Sequence, residues 1–118
     1  MTASIPDVSR ILCQLGATAN YIGSSYLADA ILLCMEDPHR LRLITKSVYP
    51  EIARRHHTSW GTVERDIRTV IAVIWRRNPA LLAKMAGFRL EKKPGAAAFL
   101  AILTNYCSGY KSGNAKRR

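Results

Sequence analysis

Acidic residues are scarce in this 118-residue chain. Eight Asp and Glu face eighteen Lys and Arg, for a formal charge of +10. A small domain with that excess usually meets a polyanion, either nucleic acid or an anionic membrane; the bland alternative is a soluble protein with a basic surface. Long apolar runs are also missing, so no segment is expected to span a bilayer. Residues 1–20 lack a signal-peptide pattern, because Asp7 and Arg10 interrupt any apolar stretch and no basic region precedes one. A cytoplasmic location and no membrane partner are the expectation. Cysteines number three, at 13, 34 and 107, with no CxxC spacing. That argues for reduced thiols rather than a disulfide framework. Cys13 and Cys34 sit among Leu and Ile and are expected as small core hydrophobes.

Strict apolar–polar alternation is nearly absent, so no convincing strand is read. Catalytic constellations are missing too. There is no GxxxxGK[ST] and no nucleophile elbow. His56 and His57 are adjacent and point to different faces, and His39 is distant, so no metal pair forms. Glu36 and Asp37 read as a helix junction. The chain is expected not to be an enzyme and to carry no cofactor or metal.

What is present is a core-forming composition, 48% hydrophobic, of a length that suits one domain. Pro and Gly punctuate it into helical intervals. The first helix is read over Pro6–Leu15, ended by Gly16. A second runs from about Tyr26 to Met35, capped by Ser24 or Ser25. Asp37-Pro38 starts a short third helix carrying Leu41 and Ile44, and Thr45 can cap the turn after it. A fourth covers Tyr49–His56, with Pro50 in its first turn. A fifth runs from Trp60 or Gly61 to Arg77. A sixth follows Asn78-Pro79 and ends at Gly87. A last one spans Ala96 to about Tyr106. The fold class is therefore all-α, with six to seven helices around a helix-turn-helix at 49–77 and no winged-helix element. Residues 1–107 form the domain, and 108–118 read as a flexible basic tail.

The 49–77 stretch carries the chemistry. On a helical wheel centred on Val63, the side chains of Ile67, Val70, Ile71 and Ile74 fall within about 80° of it. Thr62, Arg65, Arg68, Thr69 and Ala72 gather opposite, and Glu64 lies at the boundary. A recognition helix needs this division: one face anchored, the other free to reach base edges. Arg donates two hydrogen bonds to guanine O6 and N7, and Glu accepts from cytosine N4. Gly61, Thr62 and Thr69 are small enough to let the backbone approach a groove. Thr58 and Ser59 can cap the helix, and Glu64 also suits its dipole. A solvated charged face is the plainer reading of the arginines.

The residues also carry a specific resemblance. Ile-Leu-x-Gln-Leu-Gly at 11–16, Gly-Ser-Ser-Tyr-Leu-x-x-Ala-Ile at 23–31, Ile-Thr-Lys-Ser-Val-Tyr-Pro-Glu-Ile-Ala-Arg-Arg at 44–55, Val-Glu-Arg-x-Ile-Arg at 63–68, Trp75, Gly87-Phe88 and Phe99 are its pieces. Over roughly residues 5–106 the chain resembles the C-terminal DNA-binding effector domain of the response regulator that initiates sporulation. The resemblance implies a six-helix domain that reads a short box in double-stranded DNA. It also implies copies pairing as a homodimer on tandem boxes, and contact with RNA polymerase. Residue by residue, Glu64 and Arg65 match the family's base-contacting pair, and Arg68 matches an arginine on the DNA-facing side. Two positions depart: the family has an arginine where this chain has Thr62, and a histidine where it has Thr69. Trp60 is unusual at the helix start and can stack on sugar or pack on the preceding helix.

The full-length regulator of that family carries a phosphoacceptor receiver domain. Its strand–helix alternation and acidic cluster are not found here, so the chain reads either as a detached effector domain or as the effector part of a longer regulator, and aspartyl phosphorylation cannot switch it by itself.

The expected base-contacting set is Thr62, Glu64, Arg65 and Thr69. The expected backbone-contacting set is Arg54, Arg55, His57, Thr58, Ser59, Trp60 and Arg68. Lys92, Lys93, Lys111, Lys116, Arg117 and Arg118 are further phosphate candidates, or merely solvated charge. The function expected is sequence-specific binding of double-stranded DNA for transcription regulation. The rivals are a helical protein–protein adaptor and a non-specific nucleic-acid binder.

Overall fold

The first helix packs because its apolar spacing is right: Val8, Ile11 and Leu12, with Leu15 just beyond, all face inward. In the computed structural model, which describes residues 5–112, this helix is α1, Ile5–Gln14. It ends at Gly16, whose φ of 106° is left-handed. The Ala17 N–H donates to Leu12 O and the Gly16 N–H to Cys13 O, the paired bonds of a Schellman cap. Cys13 does not join the core; it is exposed. The reason is angular: Cys13 lies more than a quarter-turn from Leu12 on α1, on the face turned to solvent.

α2 runs Ile22–Glu36, four residues ahead of the expected start. Neither Ser24 nor Ser25 caps it; Tyr21 is the N-cap and offers no side-chain bond. Ser24 is turned inward instead, its hydroxyl donating to Thr18 O at 3.0 Å. Gly23 explains why the helix continues through this point. A Cβ there would sit 2.3 Å from Asp66 O and 2.6 Å from Val70 Cγ2. α2 therefore crosses the helix carrying Asp66 backbone against backbone, and that packing overrides the local signal for a cap.

The expected short helix after Asp37 divides in two. Asp37 does cap it, accepting from the His39 N–H at 3.1 Å. A 3₁₀ turn then covers Pro38–Arg42, and a π-type turn covers Ile44–Val48. Leu43, at φ −131° and ψ 40°, breaks the run. Arg40 staples the two turns, donating to Ser47 O at 2.8 Å and Ser47 Oγ at 2.9 Å. Thr45 caps nothing here: no side chain caps the π turn.

α3 is Tyr49–Arg55 and α4 is Trp60–Arg77. α5 is Pro79–Ala86, capped by Asn78, whose Oδ1 accepts from the Leu81 N–H. α6 is Ala96–Ser112, so it passes the expected end at Tyr106 and takes in the first residues of the stretch read as a tail. Lys116, Arg117 and Arg118 lie outside the described residues. The fold is all-α, with six α-helices and no strand among the described residues. α2 is the hub, touching α1, α3, α4 and α6. No described helix is long and apolar enough to cross a membrane.

Candidate nucleic-acid interface

The turn between α3 and α4 is closed by backbone bonds. The Thr58 N–H donates to Ala53 O at 2.9 Å, and the His57 N–H to Arg54 O at 3.4 Å. These are the two bonds of a Schellman cap, with His57 (φ 54°) in the left-handed place that glycine usually takes. Ser59 then starts α4. Its Oγ accepts from the Thr62 N–H at 3.1 Å and donates to Thr62 Oγ1 at 3.0 Å. Thr58, named with it as a cap, leaves that role to Ser59.

His56 fixes the angle of α3 on α2. Its Nε2 meets Asp29 Oδ2 at 2.6 Å, and its ring stands edge-on to Tyr26 with centroids 4.9 Å apart. The other end of α4 is held as well. Arg77 donates to Gly16 O at 2.9 Å and lies over the Tyr21 ring, while Asn78 Nδ2 donates to Gln14 O at 3.2 Å.

Between these two moorings α4 divides as its periodicity predicts. Val63, Ile67, Val70, Ile71 and Ile74 are buried. Val73 is buried too, which the narrower stripe read from the sequence left out. On the opposite side, Arg65 and Arg68 expose 64% and 61% of their side chains. Arg65 Nε is 3.3 Å from Asp66 Oδ1, and Arg68 is 4.0 Å from Glu64. Pairs this open are worth little, so both guanidinium groups remain available to a stronger anion.

The other expected site residues sort by what already holds them. Glu64 is half-buried at the edge of the stripe. It lines a cavity of about 220 Å³ with Arg68, Ile71, Lys93, Pro94, Gly95 and Ala96. The proximity of Arg68 to the start of α6 was not readable from the sequence, because it depends on where the 87–95 connection returns. Tyr49 sits nearby: burial, and then the Glu64 carboxylate, push its hydroxyl pKa up, while Arg68 pulls it down. Arg54 and Arg55 are exposed on α3 but share Glu51, at 2.6 and 2.9 Å. Their hydrogen bonds hold the Glu51 carboxyl below its ordinary pKa. Trp60 is 50% exposed at the start of α4, and His57 and Ser59 are exposed beside it. Thr69 is exposed one turn after Arg65, and its hydroxyl donates to Arg65 O at 3.1 Å. Among the described residues no cluster of His, Cys, Asp or Glu could hold a metal.

Two helices joined by a tight capped turn, the second with one buried and one cationic face, form a helix-turn-helix. Residues 8–107 match the family model described as sporulation initiation factor Spo0A C terminal. The chain belongs to that family.

Members of the Spo0A C-terminal family are DNA-binding regulatory domains. The match covers every α-helix of the fold, from within α1 to within α6. The whole arrangement, and not the helix-turn-helix alone, is thus a Spo0A C-terminal one.

Proposed function

We propose that this protein regulates transcription by binding a specific sequence in double-stranded DNA, with α4 lying in the major groove. One observation carries the reading. Arg65, Arg68 and Thr69 stand exposed on one face of a helix whose opposite face is buried, whose start is capped by Ser59 and whose far end is tied to the end of α1. A rigid helix with forked donors on its free side suits the reading of guanine edges.

In this mechanism Arg65 donates to guanine O6 and N7. Glu64 accepts from a cytosine amino group, or holds Arg68 in place while that residue grips a phosphate. Thr62 and Thr69 contribute at neighbouring bases. Arg54, Arg55, His57, Thr58, Ser59 and Trp60, around the turn, meet the sugar-phosphate backbone. Glu51 keeps the two α3 arginines ordered until phosphate replaces it. Homodimeric pairing on tandem boxes, contact with RNA polymerase and a cytoplasmic setting belong to the same reading.

The test is binding to a library of randomised duplexes at two salt concentrations, with wild type and Arg65→Ala side by side. Wild type selects a preferred duplex, and its affinity falls steeply with salt. Arg65→Ala loses preference at one base pair, a change of about 1–3 kcal/mol. Steep salt dependence with no preferred duplex at physiological salt would leave only a non-specific binder. No duplex binding at all would leave the adaptor reading.

A further inference from the structure

Thr69 is the one exposed member of the expected base-contacting set that carries no charge. Its hydroxyl is occupied, donating to the backbone carbonyl of Arg65 at 3.1 Å. Threonine in a helix commonly makes this bond to the carbonyl four residues back. With the oxygen folded onto the helix, the branch left to meet an outside surface is the methyl group. Thr62 differs: it is half-buried, and its oxygen already takes the proton of the capping Ser59.

The major-groove surface of DNA presents one apolar group, the C5 methyl of thymine. Building on the reading of α4 as the recognition helix, we propose that Thr69 selects thymine by methyl–methyl contact, without a base hydrogen bond. Thr69 follows Arg65 by four residues, a rise of about 6 Å along the helix. The thymine therefore lies within about two base-pair steps of the guanine that Arg65 reads. Polar recognition and apolar recognition are divided between two side chains on successive turns of one face. The division needs no water, because the Thr69 hydroxyl keeps its internal partner when the groove closes over it.

The experiment replaces each thymine of the preferred duplex, one at a time, by deoxyuridine, which lacks only that methyl. Wild type should lose affinity about fourfold at a single thymine near the Arg65-dependent guanine, the value of one buried methyl. Thr69→Val keeps the methyl and removes the hydroxyl, so it should discriminate thymine from deoxyuridine at that position as wild type does. Thr69→Ser keeps the hydroxyl and removes the methyl, so its two affinities should become equal. The proposal is overturned if no thymine responds in wild type, if Thr69→Ser still discriminates, or if Thr69→Val does not. Those results leave the recognition-helix reading standing as long as a preferred duplex exists and Arg65→Ala alters it. Absence of any preferred duplex would remove both.

Discussion

α2 and α4 cross at Gly23 and are nearly the same length, yet they are built for different surroundings. α2 buries nine of its fifteen residues, α4 only six of its eighteen. The apolar positions of α2 are spread around it, and neighbours cover it on several sides. α4 keeps its apolar residues to one stripe and turns arginines outward. The first pattern is complete once the domain has folded. The second leaves a cationic ridge whose ion pairs are too open to satisfy it. The contrast separates residues that specify the fold from residues that the fold leaves open to solvent.

The crossing point offers the hardest way to break that contrast. Gly23→Ala forces a Cβ against Asp66 O, a backbone atom that cannot swing aside. The expected loss of stability is about 3 kcal/mol, read as a lower denaturation midpoint. An unchanged midpoint would show the two helices able to separate at little cost.

Alkaline pH should act on the core that α2 organises and spare the ridge. Burial raises the Cys107 thiol from 9.0 to about 11, and pushes Cys34 upward as well. A folded-state pKa above the unfolded one means stability that is complete below pH 9 and lost as pH rises through about 11. Cys107 contributes a loss on the order of 2–3 kcal/mol across that window. Thermal melts at pH 8 and 10.5 should show a smaller drop for Cys107→Ala than for wild type.

Arg65→Ala sharpens the comparison from the other side. Its stability should stay within about 0.5 kcal/mol of wild type, because the side chain is open and its partner weak. Sequence discrimination should nevertheless fall by about 1–3 kcal/mol. A large drop in melting temperature would move Arg65 into the fold-specifying class.

The smallest effect lies between α2 and α6. Thr104 Oγ1 is buried, and among the described residues it faces only the Cys34 thiol, a weak hydrogen-bond partner. Thr104→Val replaces the hydroxyl by a methyl and should stabilise the domain by about 1 kcal/mol, measured by chemical denaturation.

The difference between the helices was partly legible in the sequence. The stripe on α4 repeats with helical period, so Val63 to Ile74 could be placed inward and Arg65 and Arg68 outward. Val73 escaped because the stripe was read toward Ile71, whereas Val73 lies about 80° from Val63 on the other side. The start of α2 escaped because Gly23 and Ser24 resemble a helix boundary locally but are pressed into a tertiary crossing. The break at Leu43 depends on the Arg40 staple, a bond between two turns that composition does not announce. Cys13 was misplaced because neighbouring Leu and Ile say nothing about angle. At the site, residue types and their face could be read. The internal commitments of the Thr62 and Thr69 hydroxyls could not, because they are matters of rotamer.

The Arg77 and Asn78 attachments at the far end of α4 have a consequence for how such a domain can change. A shaft pinned at its far end and pressed against α2 at Gly23 cannot roll to bring a new edge forward. On the proposed reading of α4, a shift in target preference comes from exchanging the teeth it carries, at positions such as 62, 65 and 69, with the bearings untouched. Grafting those three side chains between relatives should therefore transfer preference, and loosening Arg77 should blur it.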